Sequence, residues 1–499
     1  MRVAIIGAGL AGLTTAKVLL QAGHDVEVFD KTPDVGGVWS RTRRYPGLTT
    51  QSPKAQYSFS DFPMPRHFPE WPTGAQIQEY LAGYADEFGV TPHLRLGTTV
   101  ESVVPDGARW VVTTGAQGAS VVDRVVVANG VFCEPALPDY PGRAEFEAAG
   151  GRLLAGSGFH DVSDARGKHA LVVGYGKSAC DVTVALSEVA ETTDVIARQL
   201  LWKVPRKIAG VVNFKMLLLT RLGEALFRYR RLRGFEKFLH GPGNRLRRSM
   251  LNSIGSVSVR QFGLAKHDLV PRGRMEDIVK NAIGLATEGF FEGVADGSIR
   301  VRRDQVIKRL FADNGPKAEL ADGTVLPADL VVCATGFTQG VPFLPAAVQE
   351  RLFDERGNFL LYRQIQPLAA PGLYFNGYNS SFFSPLNAEM AAVWIAADLA
   401  GALTLPDEAA RRADVVAQLA FLDVATGAHH CRGTKIIPFS IHNVDEVLGD
   451  LGVQIGRFTR FTHWLNPVVP AAYRSLTPAV LSRLKGTPEP VKTPAKTPL

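Results

Sequence analysis

Apolar residues in this chain follow two rhythms. Dense short runs occur at Arg2 to Ile6, Val26 to Phe29, Val121 to Val127, His169 to Val173, Asp194 to Ala197, Asp329 to Phe337 and Leu373 to Tyr378. Such Val-, Ile- and Leu-rich runs read as strands buried on both faces, the pattern of parallel sheets. Between them, Leu13 to Ala22, Thr73 to Phe88 and Ser178 to Val189 place apolar residues at helical spacing. Strand and helix alternating in this way predict an α/β fold. Thr73 supplies a capping residue for the second of these helices. Met275 to Glu288 also reads as helical. Met390 to Leu405 is the most apolar helical stretch, but it contains Asp398 and follows Glu389, so it reads as a buried helix and not a membrane span.

Two of the strand-to-helix junctions are glycine turns. The first is Gly7-Ala8-Gly9-Leu10-Ala11-Gly12, and the strand after its helix ends on Asp30, followed by Lys31. Gly7 permits the tight turn, Gly9 lets a pyrophosphate approach the backbone, and Gly12 lets helix and strand pack closely. The helix start offers free N–H groups to phosphate, and Asp30 can accept both hydroxyls of an adenosine ribose. The second is Gly174-Tyr175-Gly176-Lys177-Ser178-Ala179. Here the third glycine is Ala179, and Arg198 stands where the acid was. An arginine can pair with a 2′-phosphate that an acid would repel. The first site therefore reads as one for FAD and the second as one for NADPH. Arg198 and Lys177 are expected to hold the 2′-phosphate, and Ser178 with the helix start from Ala179 to Asp181 the pyrophosphate.

Other segments add to the picture. Gly36-Gly37-Val38-Trp39 is a turn that lets backbone pass close to a flat ligand. Pro46 to Pro72 is a long polar and aromatic loop near the first turn, a placement often functional. Ala128-Asn129-Gly130 and Ala334-Thr335-Gly336 end two similar strands, each exit expected to touch a ligand or another backbone, with Thr335 and Gly336 taken as cofactor contacts. Ser384 to Glu389 opens a helix whose N–H groups can face the electron-rich atoms of a flavin ring. Residues 211–250 hold ten basic and two acidic residues among leucines at helical spacing, a basic amphipathic insertion. It could be a solvated face, lie on anionic membrane, dock a partner subunit or roof the active site.

Composition narrows the class. The chain has 499 residues, 46% hydrophobic and 21% charged, with a net charge of +7, ordinary for a globular protein and suited to an anionic cofactor. Its four cysteines, Cys133, Cys180, Cys333 and Cys431, are far apart, so neither a CxxC redox pair, a zinc site nor a disulfide framework is expected. The glycine turn at residue 7 leaves no room for a signal peptide ahead of it, and a cytoplasmic location is expected.

Two nucleotide turns, Gly36-Gly37-Val38-Trp39, Ser60-Asp61-Phe62-Pro63 and the strand Asp329 to Phe337, in this order, resemble the flavin-containing monooxygenases, the class B flavoprotein monooxygenases. The family motif FxGxxxHxxxY, or its Baeyer–Villiger form ending in W, falls on Leu154 to Asp164. Gly156 and His160 match; Leu154 and Asp164 depart, and with Asp164 the mark that separates the subfamilies is lost. Thr50-Gln51-Ser52-Pro53-Lys54 is similar to the family's Thr-Asn-x-x-Lys, with Gln51 in place of the Asn near flavin and nicotinamide. The extra methylene can displace a hydrogen bond by about 1 Å.

The resemblance implies two Rossmann-like domains: a discontinuous FAD domain over 1–162 and 328–480, and an inserted NADPH domain over 163–327 that carries the helical insertion at about 205–270. The tail 486–499 is expected to be disordered. The resemblance also implies an enzyme in which NADPH reduces FAD, O₂ forms a C4a-(hydro)peroxyflavin, and a soft nitrogen or sulfur of a small organic molecule takes the oxygen. Baeyer–Villiger insertion beside a ketone is one alternative, and a non-catalytic or NADPH-oxidase-like flavoprotein another. Gln51, Lys54 and His160 are the implied active-site residues, with Gln51 and Ser52 also at the cofactor and His160 shaping the linker beside NADP⁺. No nucleic acid and no metal is expected. A homodimer is one form open to the chain.

Overall fold

The computed structural model describes residues 1–115, 118–280, 284–379, 381–427 and 439–486. Cys431 and the tail beyond Gly486, expected to be disordered, lie outside the described residues. Two five-stranded parallel sheets organise the chain. The first runs in the order Leu373–Phe375, Arg124–Val127, Arg2–Ile6, Asp25–Phe29, Leu94–Arg95. The second runs Arg300–Arg303, Thr192–Ala197, His169–Val173, Leu330–Cys333, Arg152–Ala155. The apolar runs Val3 to Ile6, Val125 to Val127, Ala170 to Val172 and Leu330 to Cys333 of the central strands are buried, as the pattern requires.

Each unit repeats one plan. A three-stranded antiparallel meander precedes Arg124–Val127 in the first and Leu330–Cys333 in the second: Val100–Asp106, Arg109–Thr114 and Gly118–Val122, and Ile307–Ala312, Pro316–Leu320 and Val325–Pro327. This repetition corrects one expectation. The strand at Asp329 to Phe337 does not re-enter the first sheet. It pairs with His169–Val173 and with Arg152–Ala155, inside the second. The likeness of 329–337 to 123–130 marks equivalent places in two sheets, and the first sheet is completed only by Leu373–Phe375. Arg152–Ala155 likewise precedes the expected boundary at 162 yet belongs to the second sheet.

The helix Gly74–Glu87 is capped by Thr73, as the sequence suggested, and Gln76 completes a capping box. The helix Ser384–Leu399 is buried along nearly its whole length and packs on Leu10–Gln21. Among the described residues no helix is long and apolar enough to cross a membrane. Met275–Lys280 is a 3-10 turn followed by a short strand, Gly284–Leu285, and not the helix expected to run to Glu288.

The insertion is not one amphipathic helix. It breaks into Lys215–Leu218, Arg221–Ala225, Phe235–Leu239 and Asn244–Gln261. Gly234, at φ +48°, and Gly241-Pro242-Gly243 interrupt the helical spacing. Several of its charges form buried or half-buried pairs: Arg221 with Asp445 at 2.8 Å, Arg230 with Asp414 at 2.8 Å, and Arg247 with Glu276 at 3.0 Å. His442 lies between Glu224 at 2.5 Å and Glu236 at 2.8 Å. The expected solvated basic face is thus in part a set of clamps to the C-terminal helices.

Candidate functional site

The first glycine turn opens into a cavity of about 280 Å³. Gly7, Gly9, Leu10, Ala11, Asp30, Lys31, Gly37, Val38 and Trp39 all line it. Ala8 and Gly12 stand behind the wall. Gly7 is at φ +114°, and a Cβ there would lie 2.3 Å from the Ala128 carbonyl oxygen. A Cβ on Gly12 would lie 1.7 Å from the Gly7 carbonyl oxygen, so the close helix–strand approach admits only glycine. Gly9 faces Gly37, and a Cβ on Gly37 would come within 3.2 Å of the Gly9 Cα. The Asp30 carboxylate accepts the Ala8 N–H at 2.6 Å and the Thr32 N–H and hydroxyl at 2.8 and 2.7 Å. A carboxylate has about four acceptor sites, so capacity remains for a ribose hydroxyl.

The sequence reading missed Arg43, Tyr57 and Asn379, which also line this cavity. They arrive from separate loops, and no local pattern marks them. Ser384 lines it too, at the start of the helix Ser384–Leu399, which carries no side-chain cap. Its first N–H groups therefore stay open to an electron-rich ligand.

The loop after this turn joins the two units. Gln51 accepts the Leu285 backbone N–H through its side-chain oxygen at 3.2 Å. The buried hydroxyl of Thr50, next to it, has no partner among the described residues. Ser52, expected at the cofactor, instead gives its hydroxyl to the Phe382 carbonyl at 2.6 Å and does not line the cavity. Lys54 points away from the site: its ammonium donates to the carbonyls of Arg66 at 2.8 Å and Phe68 at 2.5 Å and so holds the loop's shape.

The second glycine turn repeats the first. Gly174 is at φ +124°, and a Cβ there would lie 2.7 Å from the Ala334 carbonyl oxygen. Ala179 fits in place of a third glycine, its methyl 3.6 Å from that same Cβ position. Gly176, with open space beside its Cα, is the N-cap of the helix Lys177–Ser187, and no side chain caps it.

Two expected phosphate contacts are engaged elsewhere. Lys177 is turned inward onto Asp181, with Nζ 2.5 Å from a carboxylate oxygen. Burial pushes its pKa down, against the pull of Asp181. Asp181 is itself buried and also accepts the Thr287 hydroxyl at 2.6 Å, so it faces the junction and not a pyrophosphate. The reason is the i, i+4 spacing of the two residues on one helix face.

Ser178 takes a hydrogen bond from the Tyr45 hydroxyl at 2.9 Å. Arg198, by contrast, is exposed at the end of its strand, without an ion-pair partner among the described residues. His160 is exposed, with Nδ1 3.1 Å from the Arg44 carbonyl oxygen, where it ties the linker to the first unit. Thr335 and Gly336 are exposed at the exit of the second sheet. The Thr335 hydroxyl bonds the Ala136 carbonyl at 2.5 Å, and neither residue reaches the first cavity. Asp164, where the family motif has an aromatic, pairs with Arg152 at 2.8 Å.

Comparison with known proteins agrees with this geometry. Residues 1–240 match the family model described as flavin-binding monooxygenase-like. Human flavin-containing monooxygenase 3 is 28% identical over 433 residues, covering 81% of this chain and 75% of its own. S-allyl-L-cysteine S-oxygenase from Allium sativum shares the fold with a TM-score of 0.62 at 18% identity, over 97% of this chain and 98% of its own. Cyclohexanone monooxygenase from Rhodococcus sp. Phi1, solved with NADP⁺, does so with a TM-score of 0.65 at 20% identity, over 90% and 97%. These likenesses support a class B flavin monooxygenase, an NADPH-dependent enzyme that uses FAD.

Proposed function

We propose that the enzyme transfers one oxygen atom from O₂ to a soft nitrogen or sulfur centre of a small organic molecule. The balance is substrate, O₂, NADPH and a proton to substrate oxide, NADP⁺ and water. FAD, reduced by NADPH, supplies the oxygen chemistry, so the chain's task is to bind, orient and exclude water. Asp30 takes the FAD ribose, and the backbone from Gly7 to Gly12 takes its pyrophosphate. The start of Ser384–Leu399 faces the ring. The Gly174–Ala179 turn and Ser178 take the NADPH pyrophosphate, and Arg198 its 2′-phosphate. Lys177 positions the turn through Asp181, and His160 positions the linker. The first sheet with its meander serves FAD, and the second serves NADPH.

One observation carries this reading. Gln51, on the loop that follows the first glycine turn, meets the second unit at Leu285, so one polar side chain joins the two units. Support for nitrogen or sulfur over ketones comes from the relatives, which include a rabbit dimethylaniline monooxygenase (N-oxide-forming), 28% identical over 444 residues. Baeyer–Villiger insertion is the second reading, favoured by the shared fold with cyclohexanone monooxygenase. Product analysis after incubation with methyl phenyl sulfide or with cyclohexanone separates them: sulfoxide without lactone supports the first, lactone the second.

The insertion supports a further part of this reading, contact with an anionic membrane surface. Phe235 and Phe238 are exposed and stack at 5.4 Å, and Trp464 meets Phe235 edge-on at 6.0 Å. Close by in sequence to Trp464, Phe458, Phe461 and Leu465 are 80%, 70% and 70% exposed. Exposed Lys237 and Arg457 lie on the same segments, and exposed Arg245 and Arg248 on the helix that follows Phe238. An aromatic anchor with a basic fringe is the composition of an interfacial surface.

A further inference from the structure

A second, apolar chamber lies under the insertion. Its walls include Phe214, Leu219 and Leu251 from the insertion, Leu285 from the short strand, and Phe382 and Phe383. Three contacts set it against the flavin site. Leu285 gives its N–H to Gln51. Phe382 gives its carbonyl to Ser52. Phe383 directly precedes Ser384, which lines the flavin cavity. The loop 51–52 is thus hydrogen-bonded to two wall residues of the chamber, and the turn 382–384 runs from the chamber to the flavin cavity.

Among the described residues, none that lines the chamber carries a free charge. Its one carboxylate, Glu224, is taken by the Ile441 and His442 N–H groups at 2.9 and 2.8 Å and by the His442 ring at 2.5 Å. A cation entering here would meet no counter-ion and would lose its hydration unpaired. An alkyl or ring substituent would exchange water for Leu, Ile and Phe surface. The void is about 30 Å³, room for little more than a water, so an occupant spreads the side chains as it enters.

We infer that this chamber takes the body of the substrate, and that the substrate is an uncharged molecule with an extended apolar substituent, its reacting atom at the Gln51 end. The substrate class rests on the oxygen-transfer reading above; the binding site does not. Selection works by length and shape of the apolar part and against a charged one.

The test uses the FAD-loaded enzyme and a series from dimethyl sulfide to methyl octyl sulfide. Both kcat/KM for sulfoxide and Kd by calorimetry are measured. In the native enzyme each added methylene tightens binding about fourfold until the chamber is full. Leu251→Trp should flatten this dependence, and Phe214→Ala should extend it to longer chains. An alkyltrimethylammonium of equal length should bind at least about tenfold more weakly than the sulfide. Equal slopes in the native enzyme and the folded variants, or tighter binding of the cation, overturn the inference. Should Leu251→Trp not fold, Phe214→Ala decides alone. If no sulfoxide forms in any case, the oxygen-transfer reading fails, while the Kd series still decides the chamber.

Discussion

The side-chain oxygen of Gln51 accepts the Leu285 backbone N–H at 3.2 Å, joining the loop that follows the first glycine turn to the short strand of the second unit. The longer side chain is therefore no mere stand-in for the family's Asn: it spans the junction. Gln51→Ala should leave FAD content intact and uncouple the enzyme, so that NADPH consumption continues with H₂O₂ replacing most oxygenated product. A loss of about tenfold in product per NADPH is expected, since small misplacements at a reacting centre are costly. Peroxide and product measured together check this; unchanged coupling would remove Gln51 from the site.

Gly37 combines φ +61° with a Cβ position 3.2 Å from the Gly9 Cα. Gly37→Ala pushes two backbone segments apart and strains the turn. The protein should still fold but purify with much less FAD, read from its visible spectrum against its protein absorbance. Gly297→Ala, a control at similar positive φ with open space around it, should retain full flavin content.

Arg198 is exposed at the strand end and has no ion-pair partner among the described residues, whereas Lys177 is locked onto Asp181. Arg198→Ala should raise the KM for NADPH at least about tenfold, the scale of a lost charge-assisted contact, and barely change that for NADH. Lys177→Ala should act differently, by exposing Asp181 to a junction without its partner. It should weaken both nucleotides alike and lower Tm.

His442 gives a pH signature. Burial would lower its pKa, but Glu224 and Glu236 on either side outweigh that and raise it to about 10, from an ordinary value of 6.5. A raised folded-state pKa stabilises the protein fully below about pH 6.5, and the contribution is lost as pH rises towards 10. Tm should therefore decline across that window in the native protein. His442→Gln should start lower at pH 6.5 and flatten the decline. Parallel curves would show that the ring is not held charged.

Sedimentation with vesicles tests the exposed aromatic cluster. The native protein should co-sediment with phosphatidylserine-containing vesicles and much less with phosphatidylcholine alone. Phe458→Ser with Phe461→Ser should abolish this without changing NADPH oxidation in solution, and 0.5 M salt, which cuts the Debye length to about 4 Å, should weaken it. Binding unaffected by the double substitution would assign the cluster to another partner.

Much of the fold was legible in the sequence because it is local. Runs such as Val3 to Ile6 and Leu330 to Cys333 carry their burial on both faces. Gly7 and Gly174 are demanded by a backbone conformation that their own turns require. The i, i+4 pair Lys177–Asp181 was visible too, and it was a signal against Lys177 as a phosphate ligand. The site's other half was not legible. Ser52 meets Phe382, and Gln51 meets Leu285, across hundreds of residues, and no periodicity encodes such pairs. The strand at 330–333 was placed in the wrong sheet because its twin at 124–127 has the same pattern. Partners, not pattern, decide which sheet a buried strand joins.

The account is tested most directly by turnover of methyl phenyl sulfide under ¹⁸O₂ with NADPH, followed by mass spectrometry of the product. It predicts a sulfoxide carrying one ¹⁸O, formed in near-equal amount to the NADPH consumed. NADPH consumption that yields only H₂O₂, with no label in the sulfide or in a ketone offered beside it, would contradict it.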